Sequence, residues 1–185
     1  MRTRRTGESA LLLLDAVDLL ERAGISYAVV GAMAAAVHGV VRASMDADAV
    51  ILLPPHRAAE LERECRAAGF NSELRHGDSD DPIGAVLSLH DEFGNRVDLL
   101  LGLRGLGAEA YSRATVIPFQ NSQLRVVGRE DFIAMKLFAH GPQDLIDAEH
   151  ALLGAGDGPD LELLRKLVAA YGPETLEALE RMLAR

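Results

Sequence analysis

YAVVGAMAAAVHGVVRASMDADAVILL, residues 27–53, decides how this chain folds. It opens on an apolar run, Tyr27, Ala28, Val29 and Val30, that reads as a strand. Gly31 and Ala32 make a tight turn into a short alanine-rich helix that ends near His38 and Gly39. Arg42 and Ser44 come next, and a second apolar strand begins Asp46-Ala47-Asp48. Side chains alternate across a strand, so Asp46 and Asp48 point to the same face. Two carboxylates at the head of an apolar strand require a reason. One is local, a turn or cap; the other is a divalent cation held for phosphoryl chemistry.

The surrounding chain sets the limits. Its 185 residues suit one domain, or one with a small appendage, and a chain of this size buries about 70% of its unfolded surface. Hydrophobic residues make up 49% and charged residues 25%, the balance of an ordinary globular protein. The net charge of −9 argues against broad, sequence-independent binding to DNA or RNA, which needs a basic face. Arg2, Arg4 and Arg5 form the one basic cluster and read as a solvated tail. The apolar run at 10–14 is too short for a signal peptide, and Asp15 and Asp18 break the apolar character immediately after it. No run approaches the length of a membrane span. The lone Cys65 cannot form an internal disulfide and reads as a partly buried small side chain. A cytoplasmic location without membrane contact is therefore expected.

Helical spacing predicts a first helix over 8–23, stopped by Gly24. Pro54 and Pro55 end the second strand and start a charged helix to about residue 68, with Ala58, Leu61, Cys65 and Ala68 inward. The polar stretch 71–82, with Asp78, Asp80 and Asp81, reads as a loop whose acids are solvated. Residues 85–90 and 95–101 read as a hairpin, followed by a turn or short helix over 105–112. Short β-type runs at 114–119 and 123–127 come next. From Gly128 onward only helices are predicted, over 129–140, 143–153, 160–171 and 173–184. This gives an α/β (α+β) chain with an N-terminal domain over 1–127 and a helical subdomain over 128–185 packed on it.

Asp98 is a third carboxylate in an otherwise apolar strand. If that strand neighbours the one carrying Asp46 and Asp48, three carboxylates converge, and their repulsion is relieved by a cation. Oxygen ligands suit Mg²⁺, which takes one or two carboxylates together with substrate phosphates. Gly31 allows close approach of a ligand to the backbone, and the helix after it offers N–H groups to a phosphate, with Arg42 a possible phosphate contact. Strand–glycine–helix turns are common, so neither half is specific alone. The six histidines, His38, His56, His76, His90, His140 and His150, are scattered and form no zinc set.

The whole pattern resembles the nucleotidyltransferase superfamily of the DNA polymerase β type. Its small prokaryotic members, the AbiEii-like toxins and minimal nucleotidyltransferases, are the most similar. The resemblance rests on Gly31-Ala32, on His38-Gly39-Val40-Val41-Arg42-Ala43-Ser44-Met45-Asp46-Ala47-Asp48, and on Arg96-Val97-Asp98. Met135-Lys136-Leu137 and Asp144-Leu145-Ile146-Asp147 match two further segments. It implies a palm with a mixed, mostly antiparallel sheet flanked by helices. Asp46, Asp48 and Asp98 would be metal ligands and catalytic groups, with Asp98 the general base. Gly31, Ala32, Arg42, Ser44, Lys136 and Asp144 would serve the nucleotide. Two departures stand out: Ala32 lacks a serine hydroxyl of the pattern, and Gly141 stands where an arginine is expected.

By that resemblance the reaction is transfer of a nucleoside monophosphate from an NTP to a hydroxyl, with Mg²⁺ (two ions, or Mn²⁺) as cofactor. The acceptor would be an RNA such as tRNA, a protein or a small molecule, and an antitoxin protein would be a partner if the chain is a toxin. Two other readings stand beside it. One is an aminoglycoside-type small-molecule nucleotidyltransferase, which the acidic balance suits. The other is a nucleotide-binding or interaction module with impaired catalysis, as Ala32 and Gly141 suggest.

Overall fold

The computed structural model describes residues 1–40, 44–154 and 158–184. Helix α1 (Ser9–Arg22) leads into β1 (Tyr27–Val30), α2 (Gly31–Val37) and β2 (Asp46–Ile51). After a 3-10 turn at Pro55–Arg57 come α3 (Ala58–Ala67), β3 (Asn71–His76), β4 (Ile83–His90) and β5 (Arg96–Leu103). The remaining elements are α4 (Glu109–Arg113), β6 (Thr115–Phe119), β7 (Ser122–Val126), α5 (Arg129–Ala139), α6 (Pro142–Leu153), α7 (Leu161–Tyr171) and α8 (Pro173–Leu183).

The strands form one seven-stranded sheet in the order β3-β4-β5-β2-β1-β7-β6. The pairs β2–β5 and β1–β7 are parallel and the others antiparallel. The fold is thus the expected α/β architecture, a mixed sheet with helices and a C-terminal helical segment. The sheet has two unlike faces. One carries Tyr27, Val29, Ala47, Ala49, Ile51, Leu87, Leu89, Val97, Leu99 and Leu101, all essentially without solvent exposure. Helix α1 packs against β2 and β5, and α3 against β3 and β4, which closes this face into the core. On the other face lie Asp46, Asp48, Asp98 and Ser88, which side-chain alternation puts on the side away from those leucines.

The C-terminal helices gather round α5, which touches α6, α7 and α8. Phe132 and Ile133 of α5 are buried, and His38 packs on the Phe132 ring at 5.1 Å between centroids while its Nε2 meets the Val127 carbonyl at 2.8 Å. Burial lowers the His38 pKa, consistent with a packed, neutral ring.

Three local expectations are corrected. The stretch at Asn71–His76 is a strand, not a loop. It is an edge strand, so Asn71, Glu73 and Arg75 face solvent while Leu74 turns toward the core; charge on such an edge also discourages pairing with another chain. The N-terminal tail is docked at Arg2 and Thr3, while Arg4 and Arg5 are exposed. Arg2 pairs with Asp15 at 2.8 Å and Asp18 at 2.7 Å, and Thr3 is buried. Ala68 is exposed at the end of α3, while Cys65 is fully buried. No helix among the described residues is long and apolar enough to cross a membrane.

Candidate active site

The parallel pairing of β2 with β5 sets Asp48 opposite Asp98 and Asp46 opposite Arg96. Neighbouring strands lie about 4.8 Å apart, so the three carboxylates share one small area of that face. Their surroundings differ. Asp46 is exposed at the strand's first residue. Ser44 shapes the entry: its Oγ donates to the Asp46 carbonyl at 3.0 Å and accepts the Asp46 N–H at 3.3 Å.

Asp98 is held by a fork. Arg96 Nε donates to Asp98 Oδ1 at 2.9 Å, and an Nη lies 2.9 Å from Oδ2. The same guanidinium reaches Ser88 Oγ at 3.4 Å, on the strand beyond. Residues two apart in a strand share a face, so the Arg-x-Asp spacing was the sequence signal for this pair, though it assigned Arg96 no role.

Asp48 is packed against the backbone of Gly31. Gly31 has φ +64°, and a Cβ built on it would overlap the Asp48 carboxylate. Both the turn and the close approach therefore require glycine there. Asp48 has no hydrogen-bond or ion-pair partner among the described residues. Burial, then the charges of Asp98 and Asp46, raises its pKa to about 6, against smaller opposing effects of Lys136 and Arg96. The carboxylate is thus poorly solvated and uncompensated, the condition that a cation relieves.

Lys136 lies on α5 between the carboxylates of α6. Its Nζ is 2.6 Å from Asp144 Oδ1 and 2.9 Å from Asp147 Oδ2, and 5.6 Å from the centre of the Phe132 ring. Asp147 is 0% exposed and also accepts from Gln143 Nε2 at 2.8 Å. Asp144 therefore sits as the ion-pair partner of Lys136. Gly141 precedes α6, and Asp144 Oδ2 lies 2.8 Å from where its Cβ would be. Ala32 is buried in α2, a helix of seven residues with no side-chain cap. A cavity of about 200 Å³ beside Asp46 is bounded by Ser9, Ala32, Met33, Ser44 and Met45. Arg42 lies outside the described residues.

The structure thus brings Asp46, Asp48, Asp98, Gly31, Ala32 and Ser44 together, with Lys136 near enough to Asp48 to influence its charge. Among the described residues no three carboxylate, imidazole or thiol groups form a finished metal cage. At Asp98 both oxygens are engaged by the Arg96 fork, and each keeps a further lone pair. The donor set still fits Mg²⁺, which is completed by substrate phosphates and water rather than by protein alone.

No protein-family model and no curated protein matches the sequence. Solved structures do resemble the fold. The antibiotic-resistance factor ANT(2″)-Ia, in its solution structure, aligns with TM-score 0.56 at 17% identity over 94% of this chain and 96% of that one. Its crystal structure with adenylyl-2″-tobramycin aligns with TM-score 0.54 at 18% identity over 87% of this chain and 95% of that one. An antigenic nucleotidyltransferase-like protein from Paracoccidioides brasiliensis aligns with TM-score 0.51 at 15% identity over 96% and 95%. At these identities the likeness establishes the fold: the chain has the nucleotidyltransferase-like α/β fold.

Proposed function

We propose that this chain is a nucleotidyltransferase that moves a nucleoside monophosphate from an NTP to a hydroxyl group. The observation that carries the reading is the half-buried Asp48 carboxylate, without a hydrogen-bond or ion-pair partner among the described residues, set opposite Asp98 and two residues from Asp46 on the same face of β2. Asp46 and Asp48 would hold Mg²⁺, with Asp98 as the third ligand. When bound, the metal neutralises the triphosphate and makes the attacking oxygen more acidic. The backbone at the start of α2 would lie against the phosphates, and Lys136, held by Asp144 and Asp147, would add positive charge near them. Asp98 takes the proton of the acceptor hydroxyl as its oxygen bonds to the α-phosphorus, and the bond from that phosphorus to the β-phosphate bridge breaks. Pyrophosphate leaves.

The spacing of Lys136, Asp144 and Asp147 supports a place among the AbiEii-like members. For the acceptor, the charge supports a small hydroxyl-bearing cation over a bare RNA. The net charge is −9, and a row across the carboxylate-bearing face runs Glu73, Ser88, Asp98, Asp48. The likeness to ANT(2″)-Ia, seen with an adenylylated tobramycin, supports the same choice.

The test supplies each labelled NTP with Mg²⁺ and offers an aminoglycoside, tRNA or a protein as acceptor. Label transfer with pyrophosphate release is expected with the aminoglycoside class, and loss of it in Asp46→Asn and Asp98→Asn. Turnover unchanged in either variant overturns the mechanism. Nucleotide binding without pyrophosphate release for any acceptor would instead identify a binding module.

A further inference from the structure

We infer that Ser9 is a positioning residue for the carboxylate site, acting through the backbones of the two strands that carry it. Ser9 opens α1, far from the site in sequence, yet it is only 5% exposed and its hydroxyl joins β2 to β5. Ser9 Oγ donates to the Met45 carbonyl at 2.5 Å and accepts the Arg96 N–H at 3.1 Å. Met45 immediately precedes Asp46, and Arg96 forks the carboxylate of Asp98.

The Asp46–Arg96 pair is the first of the parallel ladder. Before it the two chains part, toward the bend at Met45 and the β4–β5 connection at Asn95. The hydroxyl closes this open end with an N–H···O–H···O=C relay, in place of a direct backbone bond. Both of its hydrogen-bonding roles are used, so its orientation is set. Ser9 is itself moored: the neighbouring Glu8 N–H donates to Asn95 Oδ1 at 2.7 Å, and Asn95 Nδ2 donates to Asp91 Oδ2 at 2.7 Å and to the Arg5 carbonyl at 2.9 Å. The β2–β5 ladder sets the spacing of the strands, and the Ser9 relay fixes its open end, the end from which Asp46 and the Arg96 fork on Asp98 project; outer hydrogen bonds commonly tune metal sites in this way.

The role of Ser9 rests on the reading that the three carboxylates bind a divalent cation. Its test is Mn²⁺ affinity without nucleotide, read from the paramagnetic resonance of free Mn²⁺, on the full chain. Ser9→Ala is expected to bind Mn²⁺ about tenfold more weakly, with Ser9→Thr, which keeps the hydroxyl, at wild-type affinity. Thr6→Val is the control, since it loses a tail contact to the Phe93 carbonyl but leaves the relay intact; it too should bind as wild type. Unchanged affinity in Ser9→Ala, or an equal loss in Thr6→Val, overturns the role of Ser9. Should Ser9→Ala not fold by circular dichroism, Ser9→Cys replaces it with the same expectation. Wild-type protein that binds no Mn²⁺ overturns the metal reading, and the role of Ser9 with it.

Discussion

Replacing Asp48 by asparagine should make the metal-free protein more stable while abolishing turnover. In the folded chain the Asp48 carboxyl titrates at about 6 instead of 3.8, raised by burial and by Asp98 and Asp46. At 1.36 kcal/mol per pH unit, that difference destabilises the ionised folded state by up to about 3 kcal/mol. Between about pH 4 and 6 the folded chain binds this proton more tightly than the unfolded chain does. Wild-type stability from this group therefore falls as pH rises through that window, and the full penalty stands above it. Asp48→Asn removes the charge at nearly constant shape. Urea unfolding of both proteins without divalent metal should show a gain of about 2–3 kcal/mol at pH 8. The gain should shrink as pH falls through 6 and 5 and vanish only below about pH 3, where wild-type Asp48 is protonated in both states. Mg²⁺ should raise the stability of wild type more than that of the variant. A variant no more stable than wild type at pH 8, or a gain that does not change with pH, would refute the claim that Asp48 is an uncompensated buried charge.

Particular contacts lead to other expectations. Gly31→Ala places a methyl on the Asp48 carboxylate at a residue with φ +64°; urea unfolding should show a loss of about 1–3 kcal/mol or more, with NTP turnover lost. Lys136→Met removes the cation facing the fully buried Asp147 and should lower stability by about 3 kcal/mol, with a further Asp147→Asn change recovering part of the loss. Cys65 is buried and its thiol is pushed up to about 12, so a thiol reagent at pH 8 should leave the native protein unlabelled and modify one thiol per chain in denaturant.

Most of the element order was legible from periodicity and from the punctuation of Gly24, Gly31, Pro54 and Pro142. Strand β3 escaped because an edge strand needs only one partner and keeps polar side chains on its solvent side, which makes it read like a loop. The tail escaped for a related reason. Arg2 looks solvated until Asp15 and Asp18 of α1 are seen beside it. At the site, alternation alone put Asp46 and Asp48 on one face. The fork between Arg96 and Asp98 obeys the same rule, because the two residues are two apart in one strand.

Alone, the sequence determined the strand–turn–helix–strand unit at 27–53, the faces of its strands, and the three carboxylates as candidates. Only the tertiary structure decided that β5 lies beside β2, so that Asp98 stands opposite Asp48. It also decided that Lys136 rests on Asp144 and the buried Asp147, and that Ser9 closes the ladder ahead of Asp46. The reason is physical. Local periodicity reports which way a side chain points within its own element. Which group it meets depends on how the whole sheet orders its strands and how helices distant in the chain pack onto them.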